Sequence, residues 1–142
     1  MRQGMVLVAA IVALTSGAVA CAGDEPSTTP SPDAGIATTL SDFAIAPSET
    51  EAPAGSITFD LTNEGPSDHS FAMVRTDLAE DALPLADHIV ATDTLEVVAD
   101  IEQVAFEATD VLSVDLEAGS YVMFCTIPGH YESDMHAAFT VT

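Results

Sequence analysis

Short apolar stretches separated by polar turn sequences fill most of the chain from Ile36 onward. Residues 56–62 show the pattern best, because every second side chain is apolar and the turn sequence Asn63-Glu64-Gly65-Pro66 follows directly. Further strands are predicted over residues 71–74, 94–101, 111–116, 121–126 and 137–141. Strands this short, with turns at intervals of about ten residues, are typical of an all-β sandwich or barrel.

Residues 77–90 interrupt the strand pattern. Asp77 is a suitable N-cap for a short helix that runs through Leu83 and ends at Pro84. We expect this helical insertion to pack against the side of the sandwich.

The first twenty residues have the layout of a secretory signal. Arg2 precedes an apolar run over residues 5–14, and small residues lead into Cys21. The sequence Ala18-Val19-Ala20-Cys21 resembles a bacterial lipoprotein box, which predicts a lipid-modified Cys21. Ordinary cleavage after Ala20 and an uncleaved anchor are the alternatives, and all three place the domain outside the cytoplasm.

A linker separates this leader from the folded domain. Residues 21–35 contain Pro26, Pro30 and Pro32 among Ser, Thr, Asp and Gly, and they lack large apolar side chains. Such a composition is typical of a flexible, partly extended spacer. The chain is therefore divided into a signal peptide (1–20), a linker (21–35) and one folded domain (36–142).

The charge of the chain excludes several kinds of partner. It has 23 acidic residues against two basic ones, Arg2 and Arg75, and a formal net charge of −21. Nucleic-acid binding depends on Lys and Arg displacing counterions from phosphates, and anionic membranes attract cationic surfaces, so neither partner is expected. The acidic surface suits steering of a basic protein partner, or adaptation to a saline habitat.

One short segment contains most of the candidate chemistry. If Cys21 is lipidated, Cys125 is a lone thiol in an oxidising compartment, where a free thiol is a liability unless it serves as a ligand. Cys125 is followed by His130 and Met135 with four residues in each interval, and the intervening Pro128-Gly129 predicts a tight turn. A thiolate and two imidazoles with a weak thioether are the blue-copper donor set, and His69 is the candidate for the second imidazole.

These residues also carry a family resemblance. The segment Tyr121-Val122-Met123-Phe124-Cys125-Thr126-Ile127-Pro128-Gly129-His130 resembles the copper-loop strand of azurin, whereas the His-x4-Met spacing is more like plastocyanin and pseudoazurin. Residues 36–142 as a whole resemble the sulfocyanin-like cupredoxins. In that group a strand ending in His-x-Phe is followed by a Thr-Asp-Leu segment, which His69-Ser70-Phe71 and Thr76-Asp77-Leu78 match here. The group also has Ala/Pro-Gly-x-Tyr before the cysteine, which Ala118-Gly119-Ser120-Tyr121 matches.

The resemblance implies a Greek-key cupredoxin β-sandwich of about 7–8 strands. It also implies one type 1 copper ion held by His69, Cys125, His130 and Met135, and outer-sphere electron transfer. In cupredoxins the residue after the upstream histidine often contacts the residue after the cysteine. Ser70 and Thr126 occupy those positions, and we expect their hydroxyls to meet.

Ser133-Asp134 stands before Met135, where the family usually has small residues. A carboxylate oxygen from Glu132 or Asp134 is therefore an alternative copper ligand, which would give a mononuclear copper site with a carboxylate. A copper-delivery lipoprotein that uses the same ligands is a further alternative. His88 is expected to be solvated, and His136 to face away from the site because it directly follows Met135.

The interpretation favoured by these observations is a membrane-tethered, extracytoplasmic electron carrier rather than an enzyme. Reversible Cu(II)/Cu(I) cycling is its expected chemistry. We expect it to be a monomer that exchanges electrons with a cytochrome or an oxidase-type protein.

Overall fold

The structure is a computed structural model that describes residues 35–142. Its regular elements are β-strands and two 3₁₀ turns, Thr92–Thr94 and Tyr131–Ser133. The strands are β1 (Ile36–Ser41), β2 (Ala44–Pro47), β3 (Glu51–Ala52), β4 (Gly55–Asn63), β5 (His69–Arg75), β6 (Leu85–Ala86), β7 (Ile89–Val90), β8 (Glu96–Val104), β9 (Thr109–Leu116), β10 (Gly119–Phe124) and β11 (His136–Val141). Among these described residues, no helix has the length and apolar character needed to cross a membrane.

Two sheets form a β-sandwich. One has the strand order β2-β1-β4-β9 and the other β3-β11-β10-β5-β8, while β6 and β7 form a separate hairpin. Strands β1 and β4 are parallel, as are β3 and β11, and the other pairs are antiparallel. The predicted all-β sandwich is confirmed.

The core between the sheets follows the alternation seen in the sequence. Ile57, Phe59 and Leu61 of β4 are buried, whereas the residues between them are exposed or half-buried. The Phe59 ring lies 5.9 Å from the ring of Phe71 and 5.4 Å from that of Phe139, both on the opposite sheet. These contacts join the two sheets at the centre of the domain.

The helix predicted over residues 77–83 is wrong. A single turn closes there, with the Ala82 N–H donating to the Ala79 carbonyl at 2.9 Å, and the β6–β7 hairpin follows. Starting a helix is unfavourable over so few residues before Pro84. The backbone instead bonds to the rest of the domain, because the Tyr131 hydroxyl binds the Glu80 carbonyl and the Leu83 N–H.

The insertion nevertheless packs on the side of the sandwich, as predicted. Leu83 and Val90 are buried against the outer face of the five-stranded sheet, in a second apolar cluster with Ala72, Val74, Val122, Phe124 and Tyr131. Strand β5 is consequently buried on both faces from His69 to Val74. The signal peptide, Cys21 and nearly all of the predicted linker lie outside the described residues.

Candidate metal centre

The topology brings Cys125 and His69 to the same end of the five-stranded sheet. Strands β10 and β5 are antiparallel neighbours, and Phe124 at the end of β10 faces Ala72. Cys125 follows the last residue of β10, and His69 is the first residue of β5. Two residues that are 56 positions apart in sequence therefore meet where these strands begin and end.

Three predicted ligands converge at this end of the sandwich. One ligand atom from each of His69, Cys125 and His130 lies within 4.8 Å of the others. Cys125 Sγ is 3.5 Å from Nδ1 of His130, and the two imidazole rings stand 5.3 Å apart between centroids. His69 is fully buried, and neither of its ring nitrogens has a hydrogen-bond partner among the described residues. A buried lone pair without a partner, beside a thiol and a second imidazole, is the arrangement expected of a metal site.

The loop that follows Cys125 brings the backbone of Met135 back into contact with Cys125 and His130. The Met135 N–H donates to the His130 carbonyl at 3.1 Å, and the Met135 carbonyl accepts the Cys125 N–H at 3.2 Å. Asp134 has φ of 73°, a left-handed conformation that Asp adopts more readily than most residues. Met135 is fully buried directly before β11, which begins at His136.

His130 is the ligand candidate closest to solvent, since it is half-buried while the other three are buried. The pKa of His130 is lowered, first by partial burial and then by the neighbouring His69, with Asp42 acting in the opposite direction. The shift favours the neutral imidazole at neutral pH, the form that binds a metal. The exposed ring of Phe43 lies 5.0 Å from the ring of His130 between centroids, with the two ring planes at 83°.

Ser70 and Thr126 contact each other as the resemblance implied. Their hydroxyl oxygens are 2.8 Å apart, and the Thr126 N–H donates to Ser70 Oγ at 2.7 Å. The Ser70 N–H points to Cys125 Sγ at 3.5 Å, and Ser70 Oγ lies 3.3 Å from the same sulfur. Ser70 therefore joins the start of β5 to the loop that follows Cys125 and contacts the sulfur itself.

We expect Ser70→Ala to shift the spectrum of a bound copper ion and to destabilise the domain by about 1–3 kcal/mol, since a half-buried N–H loses its acceptor. Thr126→Ala removes one hydroxyl contact and should have the smaller effect. Visible spectroscopy, potentiometry and urea denaturation measure these changes. Ser113→Ala, which breaks the exposed Thr58–Ser113 hydroxyl contact, is the control. Unchanged potential and copper affinity in both site variants would contradict the assigned role.

Tyr131 bonds the loop between Cys125 and Met135 to the insertion at residues 77–90, a role that the sequence did not reveal. Its hydroxyl donates to the Glu80 carbonyl at 2.7 Å and accepts the Leu83 N–H at 2.9 Å. Burial is the main reason that the pKa of Tyr131 is raised. The Gly129 N–H also donates to the His88 carbonyl at 2.8 Å. His130 therefore lies between two residues that are both bonded to the insertion.

Tyr131→Phe should destabilise the domain by about 1–3 kcal/mol, because the buried Leu83 N–H is left without an acceptor. Tyr121→Phe is a matched control, since that hydroxyl only donates to the Glu117 carbonyl of a local turn, at 2.7 Å. Urea denaturation of both variants measures the difference. Equal losses in the two variants would contradict the anchoring role of Tyr131.

The remaining candidate residues lie outside the cluster. Glu132 and Asp134 are exposed, and Glu132 Oε2 instead lies 2.7 Å from Nδ1 of the exposed His88. The ring of His136 packs against Tyr131 at 4.9 Å, on the side of the sheet away from Met135, as predicted. The geometry therefore does not support Glu132 or Asp134 as a copper ligand.

The residues that lie against Nε2 of His69 left no signal in the sequence pattern. Asp42 Oδ1 lies 2.8 Å from His69 Nε2, and a Cβ on Gly65 would stand 2.8 Å from both atoms. Asp42 lies 27 positions before His69 in the turn between β1 and β2, and only the pairing of β1 with β4 places it here. The turn sequence at Gly65 was visible, but nothing in the pattern linked it to Asp42.

The donor set selects the kind of metal. A thiolate and two imidazoles, with a buried thioether beside them, suit a single copper ion, whereas a structural zinc site has four strong ligands and thioether is a weak one. The residues present therefore fit copper.

No family model matches this chain, and no curated protein does. Solved structures do match. Dithionite-reduced auracyanin from Roseiflexus castenholzii superposes with a TM-score of 0.58 at 21% identity, covering 76% of this chain and 96% of its own. Auracyanin A, described as a "blue" copper protein from Chloroflexus aurantiacus, has a TM-score of 0.57 at 23% identity, and the match covers 77% of this chain and 98% of that protein. Auracyanin B has a TM-score of 0.55 at 19% identity, and the match covers 80% of this chain and 91% of that protein. The chain thus has the fold of the blue copper proteins, the cupredoxins, as its resemblance to them implied.

Proposed function

We propose that this protein is a type 1 blue copper protein that carries single electrons outside the cytoplasm. The observation that carries the proposal is the cluster of His69, Cys125 and His130, whose ligand atoms lie within 4.8 Å of one another. Buried Met135, tied to the backbone of Cys125, completes the donor set. The auracyanins of similar fold include one described as a "blue" copper protein, which agrees with the donor chemistry.

A copper ion bound there would supply a one-electron Cu(II)/Cu(I) couple. The Cys125 thiolate and the Met135 thioether are soft donors that suit Cu(I), while the imidazoles of His69 and His130 suit both oxidation states. The side chains of His69, Cys125 and Met135 are packed in the interior, which leaves them little freedom to move when the charge changes. His130 is the ligand on the solvent side and the point at which a partner would approach.

The visible absorption spectrum tests this proposal. The protein loaded with Cu(II) should show an intense blue thiolate-to-copper band that ascorbate bleaches and a chemical oxidant restores. A pale species without that band would favour an oxygen-ligated copper site, and no copper uptake would refute the proposal.

The proposed location rests on the N-terminal sequence. We infer cleavage before Cys21 and attachment of lipid to that residue, so that the domain is tethered to a membrane in an extracytoplasmic compartment. Intact-mass analysis of the protein purified from a bacterial host membrane should show diacylglycerol on Cys21. The Cys21→Ser variant should lack this lipid, and we expect it to leave the membrane fraction that holds the wild type. A wild-type chain that is free of lipid would leave simple secretion as the route.

The proposed partner is a redox protein, a cytochrome or an oxidase-type domain with a basic face. The chain carries 23 acidic residues and no lysine, so a cationic partner would be steered towards it. Stopped-flow oxidation of the reduced protein by a basic cytochrome should slow steeply between low and high salt. An acidic cytochrome serves as the control. Equal salt dependence for both would favour the saline-habitat explanation of the charge.

A further inference from the structure

A carboxylate lies against the Nε2 edge of the buried His69 ring. Asp42 lies in the turn between β1 and β2, and its Oδ1 is 2.8 Å from Nε2 of His69. The oxygen lies off the direction expected for a hydrogen bond, so the contact is mainly electrostatic. His69 is fully buried and the Asp42 side chain is 23% exposed, which leaves the carboxylate only partly solvated.

The carboxylate is held in this position by a second loop. The Ser67 hydroxyl donates to Asp42 Oδ2 at 2.9 Å, so that each oxygen of the carboxylate has a separate neighbour. Gly65 leaves the space that the pair occupies, since an added Cβ would lie 2.8 Å from Asp42 Oδ1 and from His69 Nε2.

Asn63 organises that loop. Its side-chain oxygen accepts the Gly65 N–H at 3.0 Å, and its amide donates to the carbonyls of Ser67 and Val104, each at 2.8 Å. Asn63 is buried, so these bonds fix the loop against strand β8. The contact between Asp42 and His69 thus belongs to a structured part of the domain and not to a mobile side chain.

We propose that Asp42 is a positioning residue for His69, which orients the imidazole and lowers the reduction potential of the bound copper. The inference rests on the proposed function. A carboxylate beside Nε2 holds a proton on that nitrogen, which leaves the Nδ1 lone pair for the metal and fixes the orientation of the ring. Its negative charge also favours the oxidised ion over the reduced one.

Asp42→Asn tests the inference because the amide keeps the shape of the side chain and removes its charge. At a fixed solution potential, the Cu(I):Cu(II) ratio should rise about tenfold, which is about 59 mV for a one-electron couple. Cu(II) affinity should fall about 10–100-fold, as for other partners of metal-bound histidines. Redox titration and competition with a copper chelator measure the two quantities.

Asp134→Asn is the matched control. Asp134 adjoins Met135, is exposed, and has a left-handed backbone conformation that Asn also adopts. The Asp134→Asn substitution removes one negative charge near the site, as Asp42→Asn does, but at a side chain that does not contact a histidine. A shift in Asp134→Asn as large as that in Asp42→Asn would overturn the inference, because long-range charge would then explain both.

A measurement on the metal-free protein separates this inference from the proposed function. Nitrogen-15 NMR of the imidazoles should show His69 protonated on Nε2, with a ring N–H signal that moves in Asp42→Asn and not in Asp134→Asn. An Nδ1-protonated His69 in the wild type would overturn the inference even if the protein binds copper. Failure of the wild type to bind copper, with the predicted ring signals present, would refute the proposed function and leave the Asp42–His69 contact established.

Discussion

Cys125→Ser is expected to abolish the blue colour of the copper-loaded protein. The colour of a type 1 site comes from charge transfer between the thiolate and copper, and Cys125 provides the sulfur that faces both histidines. A hydroxyl is a poor donor to copper, so we also expect a large loss of Cu(II) affinity. The absorption spectrum of the variant after copper loading measures the first effect, and competition with a copper chelator measures the second.

The same substitution at the other cysteine provides the control. Cys21→Ser changes the proposed lipidation site and leaves the described domain untouched, so its spectrum should match that of the wild type. Far-UV circular dichroism establishes that Cys125→Ser is folded. A folded Cys125→Ser protein that remains blue would rule out the type 1 assignment.

Phe59→Ala is expected to cause a larger loss of stability than Ser70→Ala or Tyr131→Phe. Phe59 is fully buried and contacts the rings of Phe71 and Phe139 across the interface between the sheets. Truncation of a buried Phe costs about 3–5 kcal/mol, from lost burial and from the cavity left behind. A domain with a typical stability of about 5–15 kcal/mol would lose a large part of it. Urea denaturation measures the change.

Val111→Ala is a suitable control on the neighbouring strand. Val111 is 62% exposed on β9, in register with Asp60 of β4, so its truncation creates no cavity. We expect its free energy of unfolding to change by less than about 0.5 kcal/mol. Comparable losses in the two variants would mean that Phe59 does not carry the packing between the sheets.

The predicted strands agree with the observed ones to within a few residues, because the underlying signals are local. Residues 56–62 alternate between apolar and polar, and β4 spans Gly55–Asn63 with the apolar side chains inward. The boundaries differ where no local signal exists: the strand predicted over 94–101 is observed at Glu96–Val104, and the one predicted through Thr126 ends at Phe124. Where hydrogen bonding in a sheet ends depends on the neighbouring strands, not on residue preference alone.

The helix predicted from Asp77 fails for a related reason. A capping residue and a following proline mark possible helix ends, but the intervening residues have partners elsewhere. The Tyr131 hydroxyl binds the Glu80 carbonyl and the Leu83 N–H, and Leu83 packs on the outer face of the sheet. Tertiary contacts of this kind override weak helix propensity.

By itself, the sequence determined the all-β pattern and the identity of the ligand candidates. Cys125, His130 and Met135 lie within eleven residues, so their spacing is visible without a fold. His69 was the candidate for the second imidazole although it lies far from them in sequence, and the structure shows that it meets the loop.

Only the tertiary structure decided what surrounds those ligands. The pairing of β1 with β4 brings Asp42 to His69, and the second apolar cluster brings the insertion to Tyr131. Both contacts join segments that are distant in sequence, and each depends on strand order and register, which residue types do not encode locally. The donor set of the site could therefore be predicted from the sequence, whereas the groups that orient it depend on how the two sheets and their loops pack.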